Sequence, residues 1–331
     1  MLRTTSLSIL AVSLIAAACG GERSTSTAST GASTPAIPLS TTVESASTGS
    51  AGTTAVPVTV SYADAETAFR GGHYREAADL FTGYAEGHPD NPWGHYMLGL
   101  SAWKAGDDER ALSAFDQALQ LDPSHRKSLL NSARVLLETN RPKEALERVE
   151  KALAIEPLSG ESLRLLGRAR YELGQVPDAV EAYHRALALD NRDAWAMNNL
   201  GLIYIQQGQS DAALLPLSRA VELRSTAPAF QNNLGNALER SGYFTAARAA
   251  YQAALTADSD YVKAQAGLTR VTGRVDQDGE GEVDLGALSR EFQSQIAQWQ
   301  DSTVVSDSTV VGDTTADSAR AGVMVRDSVA Q

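Results

Sequence analysis

The feature that most constrains the fold of this chain is a column of alanines spaced 34 residues apart. Six alanines hold this spacing: Ala77, Ala111, Ala145, Ala179, Ala213 and Ala247. Other columns keep the same period. Twelve positions before each alanine stands Ala or Gly, five before it stands Gly or Asn, and seven after it stands Ala in five of the six cases. A fixed period of this length predicts a stacked array of similar units rather than one globular core.

Each 34-residue unit reads as two amphipathic helices. In the second unit the halves WGHYMLGLSAWKAG and DDERALSAFDQALQLDP both carry apolar residues at spacings of three and four, which indicates a helix with one buried face. Gly106 lies between them, where a sharp turn requires a left-handed residue, and Asn140 takes this place in the third unit. The small residues Gly99 and Ala111 are expected to face each other, so that the two helix axes can approach closely.

These columns resemble the tetratricopeptide repeat, whose pattern includes a Leu-Gly pair, an aromatic residue, Ala, Phe, Ala and Pro. Four units carry the Leu-Gly pair, as Leu98-Gly99, Leu166-Gly167, Leu200-Gly201 and Leu234-Gly235, whereas the first and third units have Asp64-Ala65 and Ser132-Ala133. The resemblance implies an all-α fold. We expect a right-handed superhelical solenoid of about six helix pairs at residues 58–261, with a capping helix at 262–274.

The beginning of the chain resembles a bacterial lipoprotein signal. Arg3 precedes an apolar stretch at residues 6–18, and Cys19 follows as the only cysteine of the chain. The resemblance implies that residues 1–18 are a signal peptide, that Cys19 is lipidated, and that the protein is exported and anchored to a bacterial membrane. Gly20 after the cysteine is similar to outer-membrane lipoproteins, which predicts an array facing the periplasm. The alternative is an ordinary secretory signal with an incidental cysteine.

The remaining segments flank the array. Residues 19–57 are rich in Ser and Thr and are expected to form a flexible linker, and residues 301–331 a disordered tail. Residues 275–284 form an acidic linker. Its first acidic residues have the spacing found at the start of a calcium-binding loop, in which the twelfth position is Glu. That position is Ala287 here, so no metal site is expected. Residues 285–300 have the pattern of an amphipathic helix, which either docks on the end or flank of the array or occupies its groove.

Charge and motifs argue against several functions. The chain has 28 basic and 40 acidic residues, a formal net charge of −12, so nucleic acid is not an expected partner. The five histidines are scattered, and neither a HExxH metal motif, a GxxxxGK[ST] phosphate loop nor a GxSxG nucleophile motif is present. The sequence therefore predicts a protein without enzymatic activity, cofactor or metal.

In the resembled family the first helix of each repeat lines a concave groove that binds partners. The 34-residue register then gives twelve candidate groove residues: Tyr96, Met97, Trp103, Asn131, Arg134, Arg164, Arg168, Asn198, Asn199, Asn232, Asn233 and Asn236. The groove would be aromatic at its start, basic in its middle and rich in asparagine at its end. Asparagine amides suit a peptide backbone, and arginine suits carboxylates. The alternative is that these polar residues solvate an exposed helix face and that the aromatic residues pack between helices.

The function predicted from these features is that of a membrane-anchored scaffold that binds a protein or peptide segment, in cell-envelope assembly or secretion. A narrower alternative is a pilotin-like lipoprotein that assists assembly of a type IV pilus or a secretin. Two further alternatives are a structural oligomer formed by self-association, and an enzyme or ligand-binding protein whose pocket the sequence does not reveal.

Overall fold

The computed structural model describes residues 60–276 and 283–301. These residues form fourteen α-helices and no strand, which confirms the all-α expectation. They fall into two compact units, residues 60–121 and residues 122–301. The expected signal peptide, Cys19, the whole Ser/Thr-rich linker, residues 277–282 of the acidic linker and nearly all of the tail lie outside the described residues.

The unit at residues 60–121 contains two helix pairs. Its helices are α1 (Tyr62–Arg70), α2 (Tyr74–Gly87), α3 (Pro92–Ala105) and α4 (Asp108–Leu121).

The unit at residues 122–301 contains four helix pairs and two further helices. The pairs are α5 (Arg126–Glu138) with α6 (Pro142–Ile155), α7 (Gly160–Glu172) with α8 (Val176–Leu189), α9 (Ala194–Gln206) with α10 (Ser210–Leu223), and α11 (Pro228–Arg240) with α12 (Phe244–Ala257). The capping helix α13 (Val262–Val271) follows, and α14 covers residues 285–301. We call the odd-numbered members of the six pairs first helices and the even-numbered members second helices. The expected number of six pairs is confirmed.

The turn within each pair depends on one residue with positive φ. Gly106 has φ 87° after α3, and its amide donates to the carbonyl oxygens of Ala102 and Trp103, which ends the helix. In the third pair Asn140 has φ 59° and is the non-glycine residue with positive φ in the described chain. Asparagine tolerates this conformation better than other residues with a Cβ atom, so the substitution preserves the turn.

The column of small residues lets the two helices of a pair touch. A Cβ atom added to Gly201 would lie 2.5 Å from Cγ of Leu217, and one added to Gly235 would lie 2.8 Å from the ring of Tyr251. Both distances are shorter than van der Waals contact. The larger residue four places after each column alanine therefore packs directly on the backbone of the preceding first helix.

Helix α14 folds back over the second helices of residues 122–301. The indole of Trp299 stacks on the His184 ring of α8 at 3.9 Å, and the Gln300 side chain donates to the Ala188 carbonyl oxygen at 2.9 Å. The Ser289 hydroxyl donates to the Glu222 carboxylate of α10. At its start, Leu285 packs on the core formed by α9 to α13. The expectation of docking on the end or flank of the array is confirmed, and the alternative of docking in the groove is wrong, because the ring contact and the hydrogen bonds of α14 named above are made with the second helices α8 and α10.

Candidate functional site: the first-helix surface

The first helices of residues 122–301 form the inner surface of that unit. Helix α5 packs on α7, α7 on α9, and α9 on α11, although each is separated from the next by a second helix in the chain. The second helices have no comparable packing on one another. Since the first helices lie closer together, their side of the stack is the shorter, concave one. Nine of the twelve candidate residues lie on these helices, and the other three lie on α3.

Three asparagines on α9 and α11 form a chain of side-chain hydrogen bonds. The Asn233 amide nitrogen donates to Oδ1 of Asn198 at 2.9 Å, and the Asn232 amide nitrogen donates to Oδ1 of Asn233 at 3.2 Å. Asn198 is fully buried, and its Nδ2 has no hydrogen-bond acceptor among the described residues. Beside this chain Asn199 retains only a small exposed edge, whereas Asn236 is half-buried. The network fixes the relative orientation of two neighbouring first helices, with Asn236 reaching the surface.

The arginines of α5 and α7 are engaged with carboxylates from neighbouring helices. Arg134 donates to Oδ1 of Asn131 at 2.5 Å and to the carboxylate of Glu161 at the start of α7. Arg164 donates from Nε to Asp193 at 2.8 Å. Asp193 also caps α9, because its Oδ1 accepts from the backbone amides of Trp195 and Ala196.

The two ion pairs differ in burial. The side chains of Arg164 and Asp193 are 20% and 12% exposed, whereas Arg134 is 19% exposed and its partner Glu161 is 42% exposed. Removal of one member of the more buried pair, Arg164–Asp193, would leave a partly buried charge without compensation. An acidic partner at this surface would have to compete with Glu161 and Asp193, so the middle of the groove is less basic than its sequence indicates.

Arg168 lies deeper than the other two arginines. Its side chain is 4% exposed, and its Nε donates to Oε1 of Glu172 at 2.9 Å within α7. Burial raises the pKa of Glu172, and the attraction of Arg168 offsets this effect only in part. The pair is thus positioned to hold α7 rather than to present charge at the surface.

The candidate residues of α3 are mainly packing residues. Tyr96, Met97 and Trp103 are each at least nine-tenths buried, and the Tyr96 ring lies 6.0 Å from that of Phe115 on α4. The exposed aromatic residue of this helix is Trp93, at 38%. Its indole nitrogen donates to the hydroxyl of Tyr62 on α1 at 2.8 Å.

The structure identifies three carboxylates that pair with the candidate arginines and that the 34-residue spacing did not reveal. Glu161, Glu172 and Asp193 complete the three arginine pairs. The available signal for Asp193 was its place immediately before α9, where an aspartate is favoured as an N-cap. Within residues 60–276 and 283–301 no three His, Cys, Asp or Glu side chains cluster as metal ligands. None of the helices described is long and apolar enough to cross a membrane.

The stacked helix pairs and the concave first-helix surface define a helical-repeat protein of the kind that binds other proteins. Family profiles agree with this class. One described as TPR repeat matches residues 167–208, and one described as tetratricopeptide repeat matches residues 62–126, 96–162 and 198–262. Because these matches cover more than half of the chain, the protein belongs to the tetratricopeptide repeat family, whose members are protein-interaction scaffolds and in general not enzymes.

Two solved structures, with TM-scores of 0.55 and 0.57, show the same fold. A tetratricopeptide repeat protein from Parabacteroides merdae is 14% identical, with a TM-score of 0.55 over 63% of this chain and 82% of its own. The Cut9–Hcn1 complex of the APC/C is 18% identical, with a TM-score of 0.57 over 63% of this chain and 41% of the matched one. MamA from Desulfovibrio magneticus RS-1 is 26% identical over 49% of this chain and 92% of its own, with a TM-score of 0.46. A comparison with curated proteins gives no match.

Proposed function

We propose that this protein is a non-catalytic scaffold whose first-helix surface at residues 122–301 binds an extended segment of another protein. The observation that carries the proposal is the hydrogen bond from Asn233 to Asn198, which joins α9 to α11 and orients their amides. A binding surface that is already ordered loses less conformational entropy when a partner docks.

The chemistry of this surface suits a peptide backbone. An asparagine amide offers two donors and one acceptor, which matches the alternating N–H and C=O groups of an extended chain. Asn199 and Asn236 lie beside the hydrogen-bonded asparagines, one on each helix. The Nδ2 of Asn198 is a buried donor without an acceptor among the described residues, a condition that costs about 1–3 kcal/mol.

The cellular setting belongs to the same proposal. Cleavage before Cys19 and lipidation of that residue would anchor the chain to a membrane, with residues 20–57 as the linker between anchor and array. The Gly20 that follows the cysteine favours the outer membrane and an array in the periplasm. A scaffold in that position would act in cell-envelope assembly or secretion. The support for the anchor is the sequence pattern of residues 1–20.

Site-specific photocrosslinking in cells tests the binding surface. A photoreactive amino acid at Asn236, on the first-helix surface, should capture a discrete protein partner. The matched control places the same probe at Gln252, which is exposed on the second helix α12. The Asn236 adduct should weaken when Asn233→Ala is added. Identical adducts from both probe positions would contradict the assignment of the binding surface.

Mass spectrometry of the mature amino terminus tests the anchor separately. The expected species begins at Cys19 and carries a lipid. A mature chain with a free thiol, or one cut at another position, would refute the anchor and leave the peptide-binding proposal intact.

A further inference from the structure

An aromatic cluster at the start of the array is separate from the asparagine surface. It consists of Trp93 on α3 and Tyr62 on α1, joined by the 2.8 Å hydrogen bond between them, and we call these two residues the aromatic platform. In the described residues 60–121, Trp93 and Leu121 are the large apolar side chains that are exposed. Trp93 is the only one of the two that lies on a first helix.

Neighbouring rings hold the platform in place. Tyr62 makes edge contacts with Phe81 at 5.5 Å and Tyr84 at 5.4 Å, both on α2, and Trp93 lies 5.0 Å from the Tyr96 ring. The indole N–H is already used by Tyr62. A ligand would therefore contact the platform mainly through the faces of the two rings rather than through hydrogen bonds. Because the rings are held in place, little conformational entropy of the platform is lost on binding.

Proline rings are a suitable ligand for such a surface. Segments with two prolines three residues apart adopt an extended polyproline II helix and dock on aromatic side chains, because little conformational entropy remains to be lost. Residues 1–59 contain one such segment, Pro35-Ala36-Ile37-Pro38. It is apolar within the linker at residues 19–57, which otherwise consists mainly of Ser, Thr, Ala and Gly.

The length of chain between the segment and the platform favours an intramolecular contact. Tyr62 is the first residue of α1, so the segment that precedes this helix joins it at the platform. The residues from Pro38 to Tyr62 would span roughly 25–30 Å as a coil of that composition. A link of this length gives an effective concentration in the millimolar range. A contact of only about millimolar intrinsic affinity would then be occupied about half of the time.

We propose that the aromatic platform is the docking site of residues 35–38 of the same chain. The proline rings lie on the Trp93 indole and the Tyr62 ring, and Ile37 packs beside them. Docking shortens the linker and covers the exposed face of Trp93. This inference does not depend on the proposed function, because it concerns neither the asparagine surface nor a partner protein.

Photocrosslinking in the full-length, detergent-solubilised protein tests the docking. The probe p-benzoylphenylalanine at Ile37 should label the peptide that contains Tyr62 or Trp93 within the same molecule. The control carries the probe at Thr48, which is nearer to the array along the chain and so meets it more often by chance. Labelling of the platform from position 37 should exceed that from position 48 by at least about five-fold, since docking adds to the effective concentration.

Two variants complete the test. Pro35→Ser with Pro38→Ser leaves the array unaltered and should reduce labelling from position 37 to the level of position 48. Trp93→Ala should do the same while the helical circular dichroism is retained. Equal labelling from positions 37 and 48, unchanged labelling in the double proline variant, or adducts formed only between two molecules would each overturn the proposal.

Discussion

The side-chain amide of Asn233 reaches across from α11 to α9 and donates a 2.9 Å hydrogen bond to Asn198, which is fully buried. Replacing either residue by alanine leaves a buried amide without its partner. We expect each single variant to lower the free energy of unfolding by about 1–3 kcal/mol.

A double-mutant cycle measures the coupling between these two residues. In urea denaturation, Asn198→Ala and Asn233→Ala should show an interaction energy of about 0.5–3 kcal/mol. The control is Asn236→Ala, which is half-buried and should change the free energy of unfolding by less than about 0.5 kcal/mol. Strictly additive effects of Asn198→Ala and Asn233→Ala would show that the hydrogen bond contributes nothing.

Gly201→Ala should destabilise the array, because the new methyl group would lie 2.5 Å from Cγ of Leu217. Overpacking of this kind typically costs about 1–3 kcal/mol, which calorimetry or urea denaturation resolves. Gly87→Ala is the matched control, since Gly87 is also helical but has no atom within 4 Å of the added Cβ. That variant should be neutral or slightly stabilising, since alanine favours a helix. Equal stability of the two variants would refute the close approach of α9 and α10.

The stability of the carboxyl-terminal repeats should depend on the ionisation of Glu239. Burial alone would raise the pKa of this carboxyl, but hydrogen bonds from Arg270 and Tyr251 outweigh it and hold the pKa below its ordinary value. A lowered pKa in the folded state means that the stabilisation is complete above about pH 4.5 and is lost as the pH falls through the folded pKa.

Glu239→Gln tests this pH dependence. At pH 7 the variant should be less stable than the wild type by about 1–3 kcal/mol, because a charged hydrogen bond is lost. The difference should shrink in urea denaturation at progressively lower pH, since both proteins then carry a neutral side chain. A difference that stays constant between pH 7 and the acid range would argue against the ionised pair.

Helix α14 should detach when its buried anchor is removed. Phe292 is 1% exposed, so Phe292→Ala should weaken the docking of residues 285–301 by about 3–5 kcal/mol. Hydrogen exchange of the α14 amides should accelerate accordingly. The control is Gln293→Ala, which alters the adjacent exposed position. Exchange that is equally slow in both variants would contradict a helix held by this contact.

The array was predictable because its determinants are local and recur. The Ala column, the Gly or Asn turn and the small first-helix residue each act within one 34-residue unit, so that the pairing of α1 to α12 follows from spacing alone. The ion pairs of Arg134 and Arg164 did not follow. Their partners, Glu161 and Asp193, are 27 and 29 residues away in the chain and meet them only once neighbouring pairs have stacked.

The docking surface of α14 was only partly predictable. The spacing of its apolar residues predicts that one face of the helix is buried, but it does not identify the helices on which that face packs. A second signal is visible once the contact is known. Ala246 and Ala249, which line a cleft with Leu285, are replaced in earlier repeats by charged residues such as Asp178 and Glu181. Loss of charge from these columns marks α10 and α12, whereas α8, which contacts the end of α14 through His184 and Ala188, keeps both acidic residues.

The course of α14 over α8, α10 and the core beside α12 has a consequence for how the array unfolds. In an array whose repeats touch only their neighbours, the terminal repeats can fray one at a time. A helix attached to three successive repeats introduces longer-range coupling. When one of the three repeats opens, it loses its contacts with α14, and this loss weakens the docking of α14 on the other two. The last three repeats should therefore melt as one cooperative block rather than one at a time.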